Sequence, residues 1–445
     1  MAAPVTRPSF GPLRPPKLPT VVEAELGGDL HALFVRRPSL PMVELRLVFP
    51  LAAEDITRPA PLAVLARSLL AGTDQHDRLG LAQQIELLGG SLDADVHDDR
   101  LVVSGSALAE HLAPLLGLLN EVLVGATYEA SEVRADRNRA ADETIIALSQ
   151  PAVIAAQALR QRIFAGHPYA TPMPSPSALQ RVGAGPLRAL HPLVLDPAQG
   201  HLVVAGDLQP ARARALAEAA LGAWVGGQAS SRRQAPPLGP PAPGPIELVA
   251  RPGSVQSNVR LGWPGPSPSD PEWAATALAD SVFAGMFGSR LVANLRERNG
   301  YSYTPGSYVR HRRAGSTVVV VADVATEATA AALVETYYEL GRMATTGITD
   351  EEREKARRYL VGRFGFEISS LPSFASMLAG LAVNGAGLGY LDSYPKALIA
   401  ATKDQVDEAA RHFLAPSRLV TVVVGDPDKV LGPLSVIGEV AVRTP

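Results

Sequence analysis

Arg296 and Tyr303 stand seven positions apart around Gly300, in a run (residues 289–309) that also carries Arg290, Arg298 and Tyr301. The pattern reads as a helix ending at Gly300 and a strand opening with Tyr301 and Tyr303. Cations suit the carbonyl end of a helix, so one reading is a capped helix with solvated arginines. The other is chemical. A guanidinium fork and a phenol hydroxyl, set by a helix-to-strand turn, could hold the backbone carbonyls of an extended peptide.

Other chemistries find less support. The nine histidines (31, 76, 97, 111, 167, 191, 201, 311 and 412) include no two within five residues, so no helical pair offers metal ligands. The one dense acidic cluster with a histidine is residues 91–100, SLDADVHDDR. Asp93, Asp95 and His97 alternate there with Leu92, Ala94 and Val96 and share a strand face, read as solvated or as a weak cation site. No phosphate-binding glycine loop and no G-x-S-x-G nucleophile elbow occurs. With no cysteine, thiolate zinc, disulfides and a cysteine nucleophile are excluded.

The elements that must position such residues are legible. Residues 61–70, 79–88, 110–124, 129–163, 272–287, 290–297, 327–345 and 350–366 are predicted helical. Residues 21–25, 33–49, 91–106, 201–205, 246–250, 255–263, 318–324 and 419–424 are predicted strands, with 301–308 extended. Residues 226–245, GGQASSRRQAPPLGPPAPGP, form a Pro/Gly-rich linker. It separates a domain at 1–225 from one at 246–445, and the two halves echo each other. His191 to Asp207 and His412 to Asp426 both run from a histidine through a proline to a β-branched strand and Gly-Asp. The segments 246–250 and 255–263, read as paired strands, echo 21–25 and 33–49. The fold class expected is α+β, two tandem homologous domains, each a mainly antiparallel sheet packed with helices.

Composition sets outer limits. The 445 residues are 47% hydrophobic and 19% charged with a net charge of -3, enough apolar material for large cores and no basic excess to recruit nucleic acid or an anionic membrane. The most apolar stretch, residues 112–124, is about 13 residues long against the ~20 a spanning helix needs. The Pro-rich residues 1–20 lack the apolar core of a secretion signal and read as an extended arm. A cytoplasmic location is the default expectation.

Taken together, these motifs resemble the pitrilysin-like metallopeptidases, the inverted zincins with H-x-x-E-H. The resemblance runs from about residue 21 to 426. It is carried most specifically by LRERNGYSY (residues 295–303), whose Arg296 and Tyr303 match the family's second-half Arg and Tyr. His167-Pro168-Tyr169, Gly206-Asp207 and residues 350–365 are further landmarks. The zinc helix departs from the pattern. With Gly72-Thr73 and residues 87–95 fixing the register, Ala63 and Arg67 fall where the family has its two histidines, and Ala66 where it has the glutamate base. The downstream carboxylate falls on Glu143. One carboxylate cannot hold catalytic zinc, which needs three protein ligands and an open water position. A cation at Arg67 could pair with Glu143 instead.

The resemblance implies a chain with no catalytic residue and no cofactor of its own: the non-catalytic, substrate-binding subunit of a heterodimeric zinc peptidase. Zinc would sit in a homologous partner, and the two half-clamshells would close a chamber around unstructured peptides. Arg296 and Tyr303 would bind substrate there. The alternative is a structural scaffold subunit of this fold with no part in proteolysis.

Overall fold

A computed structural model describes residues 11–27, 29–225, 234–241, 244–415 and 419–444. The described residues form two six-stranded sheets. The first contains β1 (Val21–Leu26), β2 (Leu30–Arg36), β3 (Met42–Pro50), β4 (Ser91–Val96), β5 (Arg100–Leu108) and β6 (His201–Gly206), in the order β1-β2-β6-β3-β5-β4. The second contains β7 (Ile246–Ala250), β8 (Gln256–Gly265), β9 (Gly306–Arg312), β10 (Gly315–Ala325), β11 (Val420–Gly425) and β12 (Val440–Arg443), in the order β12-β7-β11-β8-β10-β9.

Five positions correspond in order and direction. β2–β6 and β7–β11 are parallel, and the ladders from β6 to β4 and from β11 to β9 are antiparallel. The sixth strand differs. β1 precedes the first repeat and pairs antiparallel, whereas β12 closes the second from its C-terminal end and pairs parallel. The α+β duplication is therefore real, with two corrections to the strand reading. β7 and β8 are not partners, because β11 inserts between them. And β7 corresponds to β2, not β1; the predicted strand 33–49 is the end of β2 and then β3, divided by the turn around Pro38 and Pro41.

The helices that matter below are α1 (Pro59–Ser68), α2 (Ala130–Ser149), α3 (Pro151–Ile163), α4 (Trp273–Asp280), α5 (Thr329–Thr345), α6 (Asp350–Ser369) and α7 (Leu371–Asn384). The helix read over 129–163 is two, α2 and α3. Gln150 precedes Pro151 and sits in the extended region at ψ 121°, as the clash with a following proline ring demands. The halves trade helices. α6 and α7 place Phe364, Phe374 and Leu378 against Leu33, Val48 and Val203 of the first sheet. α3 packs Leu159 and Ile163 on the second sheet, where Gly262 leaves room for them. Both sheets are thus covered on two faces, and β6 and β11 are buried at every position. The arm at 11–20 lies along this surface, with Leu13 and Leu18 joining the cores of different halves. No single helix among the described residues is long and apolar enough to cross a membrane.

Candidate functional site

The degenerate metal position sits on α1, which starts on Pro59 and Pro61, suited to a first turn without amide donors. Ala66 is buried in the core of the first repeat. Ala63 lines a cleft of about 630 Å³, walled also by Leu62, Val96, His97, Arg160 and Arg312. Arg67 reaches across to α2 and ion-pairs with Glu143, their side chains 37% and 58% exposed. The pair that the sequence allowed but did not require is formed. At that exposure it is worth about 0–1 kcal/mol and does little to hold the fold. The helices are fixed from deeper down. Buried Asp136, on α2, accepts from the Ser68 hydroxyl at 2.8 Å, from Arg78 at 2.7 Å and from Arg139 at 2.6 Å.

These residues do not fit catalytic zinc. Two methyl groups and a guanidinium occupy the imidazole and base positions, and the remaining carboxylate is neutralised by that guanidinium. No group of three His, Asp or Glu among the described residues is arranged to hold a metal. Asp93 and Asp95 on β4, and His97 just beyond its end, are exposed.

Arg296 and Tyr303 come together. The Arg296 guanidinium lies 4.8 Å from the centre of the Tyr303 ring and 4.8 Å from that of Phe287. Both rings are on open surface, Tyr303 77% and Phe287 71% exposed. The helix expected over 290–297 is a single α turn followed by a π-helical segment, Ala293–Arg298, a wider turn frequent at functional sites. Gly300 then takes φ +64°, a left-handed conformation that favours glycine. The extended stretch reaches a regular strand only at Gly306; before that, Ser302 bridges to Val324 and its hydroxyl donates to the Asp323 carbonyl at 2.8 Å. From below, Asn294 donates to Glu335 at 2.7 Å and to fully buried Glu339 at 2.8 Å; Arg298 and Arg342 also bind Glu339. Arg290 forks onto Glu352 at 2.7 and 2.8 Å. Burial raises the Glu352 carboxyl, but Arg290 and the Thr349 amide and hydroxyl outweigh it and hold it down near about 2. The turn is therefore rigidly mounted while its aromatic surface is free. No hydrogen bond, ion pair or ring contact among the described residues joins the Arg296–Tyr303 pair to Arg67 and Glu143, which lie in the other half.

The junction between the repeats was not foreseen. The β4–β5 turn meets the β9–β10 turn, its counterpart in the second repeat. Asp98 accepts from Arg312 at 2.6 Å and lies 3.5 Å from Arg160. Asp99 accepts from the Tyr169 hydroxyl at 2.8 Å and the Arg313 amide at 2.7 Å. A signal was present: Asp98-Asp99 in one hairpin turn is opposite in charge to Arg310, Arg312 and Arg313, at the end of β9 and in the equivalent turn. Phe287, the second ring on Arg296, had no signal, because it approaches only through the bend after the π-helical segment at Ser281–Gly285.

A two-repeat α+β chain with a zinc-helix position on α1 and an Arg–Tyr turn in its second half is of the inverted-zincin peptidase class. More narrowly, the chain belongs to peptidase family M16. Residues 64–177 match the family model described as Insulinase (Peptidase family M16), and residues 184–360 that of the Peptidase M16 inactive domain. It is an M16-like protein whose zinc-helix position carries Ala63, Ala66 and Arg67. An uncharacterized zinc protease of Streptomyces coelicolor is 23% identical over 355 residues, 77% of this chain and 76% of that one. An uncharacterized zinc protease of Mycobacterium leprae is 23% identical over 81% of each. Among solved structures, a peptidase M16 inactive domain from Pseudomonas fluorescens superposes with TM-score 0.82 at 24% identity, covering 92% of this chain and 98% of that one. A protease from Helicobacter pylori gives 0.83 at 16%, covering 92% and 100%.

Proposed function

We propose that this chain is the substrate-binding, non-catalytic subunit of a cytoplasmic heterodimeric zinc peptidase acting on unstructured peptides. One contrast carries the reading. The metal position is replaced by methyl groups and an arginine tied to Glu143, while the Arg296–Tyr303 pair is kept and braced from below, with Tyr303 open to solvent and Arg296 half-buried beside Glu297 at 3.2 Å. A scaffold needs no such exposed donors. In the heterodimer a homologous subunit holds zinc and the general base, and Arg296 and Tyr303 donate to peptide carbonyls. Exposed Phe287 and Tyr303 flanking an arginine also have the composition of interface anchors.

The test is reconstitution with an M16 homologue bearing H-x-x-E-H. Sedimentation should show a 1:1 complex, and the complex should cleave an unstructured peptide that neither chain cleaves alone. Separate species at micromolar concentration, or a partner fully active by itself, would overturn the proposal; the second outcome favours the scaffold.

A further inference from the structure

The duplication gives the cleft beside α1 a counterpart. In the first repeat that cleft lies between the helix following β3 and the edge hairpin β4–β5. In the second, a cavity of about 710 Å³ lies between α4, which follows β8, and the edge strand β9, and is completed by α6, α7 and the helix Tyr390–Ala400. Its contents differ. Asp280, the last residue of α4, is 6% exposed and lines the cavity. Among the described residues one hydrogen bond reaches its carboxylate, from the Ser307 hydroxyl to Oδ1 at 2.7 Å. Oδ2 lies close over Gly285, where a Cβ would come within 2.9 Å of that oxygen, so only glycine leaves the carboxylate uncrowded there. The π-helical turn Ser281–Gly285 directly after Asp280 brings Gly285 back against this carboxylate.

The walls are aromatic and held in place. Trp273 donates its indole N–H to the Tyr390 hydroxyl at 3.1 Å, and the Tyr390 and Tyr394 rings stack at 4.9 Å. Leu360, Phe364, Met377 and Leu381 supply aliphatic and ring surface. Besides Tyr308, Tyr390 and Tyr394, the other titratable groups facing the cavity are Arg363, Glu367 and His311. Arg363 is hydrogen-bonded to Glu367 at 2.9 Å, so those two charges offset one another. His311 bonds Ser316 at 2.7 Å, and burial and the Arg100 charge push it down to about 4, so it is neutral at pH 7. The uncompensated charge of the cavity is the Asp280 carboxylate.

We propose that this cavity binds an alkylammonium group, its charge on Asp280 and its methylene stem along the aromatic and aliphatic walls. A buried carboxylate without a cation is expensive to maintain, and an incoming ammonium relieves that cost. Aromatic walls further favour a cation over a neutral isostere. Consistently, burial pushes the Asp280 carboxyl up to about 6, against the Ser307 hydrogen bond and the Arg363 charge. The same chemistry is carried by a lysine side chain and by a free diamine. The proposal concerns this chain alone and stands whether or not a zinc-bearing partner exists.

The test is calorimetric titration of the full chain at pH 7 with three probes: Nα-acetyl-lysine methylamide, its isostere Nα-acetyl-norleucine methylamide, and 1,5-diaminopentane. At least one ammonium probe should bind saturably, and the norleucine probe at least about tenfold more weakly. Binding of the capped lysine alone assigns a peptide side chain; binding of the diamine alone assigns a free amine; both outcomes support the site. Asp280→Asn, isosteric, should weaken binding at least about tenfold without lowering the melting temperature. Gly285→Ala, whose methyl would crowd Oδ2, should weaken it without removing the charge. Equal affinity for lysine and norleucine, unchanged binding in Asp280→Asn, or no saturable binding of any probe below about 10 mM would overturn the proposal.

Discussion

Removing Asp98 tests how the two repeats are held. Its carboxylate accepts from Arg312 at 2.6 Å and stands 3.4 Å from Arg310 and 3.5 Å from Arg160. The Arg312 side chain is only 5% exposed, with its guanidinium 4.8 Å from the Phe164 ring centre and a further bond to Thr317 at 2.9 Å. Asp98→Ala strips the carboxylate from a cation that cannot reach water. Breaking such a buried pair costs about 3–5 kcal/mol. Arg310 is 58% exposed, so Arg310→Ala should cost about 0–1 kcal/mol. Replacing both partners, Asp98→Ala with Arg312→Met, leaves no orphaned charge and should recover most of the loss. Burial raises the Asp98 carboxyl, but Arg312, Arg310 and Arg160 together hold it below its ordinary value. A carboxylate depressed in the folded chain stabilises above its unfolded pKa of about 4 and loses that contribution as pH falls through the folded value. Urea unfolding at pH 7 gives the magnitude, and the same titration between pH 4 and 2 gives the acid limb, which Asp98→Asn should flatten. A cost below about 1 kcal/mol for Asp98→Ala would refute the reasoning, because it would mean that water screens the junction.

Three further outcomes are expected. The purified chain should retain no stoichiometric zinc after mild chelation, while Ala63→His with Arg67→His, which leaves Glu143 as the third ligand, should retain about one zinc by elemental analysis. In a reconstituted complex, Tyr303→Phe and Arg296→Lys should each slow peptide cleavage at least about tenfold at unchanged sedimentation, since an oriented donor on developing charge is worth roughly 100- to 1000-fold. For Asp280, the folded carboxyl titrates near about 6 and the unfolded one near 3.8. The folded chain therefore takes up the proton first, and stability withheld at pH 7 returns as pH falls through about 6 toward 4. Asp280→Asn should raise stability at pH 7 by up to roughly 3 kcal/mol and change it little at pH 4, read as the difference from wild type in urea midpoints.

Local rules made much of this protein readable in one dimension. Periodicity and proline placement marked α1 and α6; β-branched runs closed by Gly-Asp marked β6 and β11; the ordered echoes marked a duplication, while half of the linker read at 226–245 lies outside the described residues. Once the family register placed the motif, residue type argued against zinc at positions 63, 66 and 67, since neither a methyl group nor a guanidinium is a zinc ligand. The spacing of Arg296 and Tyr303 announced a shared turn. What lay beyond reach depends on which segments meet. Strand order was misread because β6 and β11 enter from about 150 residues downstream of the strands they separate, and hydrophobic pattern carries no partner information. Helix propensity marks neither π-helical segment; the second, Ala293–Arg298, is braced by buried Glu339 through Asn294 and Arg298. Within one acidic run, Asp93 and Asp95 are solvated while Asp98 and Asp99 are locked to arginines more than 200 residues away. Asp280 became a candidate site only when α6 and α7 closed over it, because a carboxylate's chemistry is set by what excludes water from it.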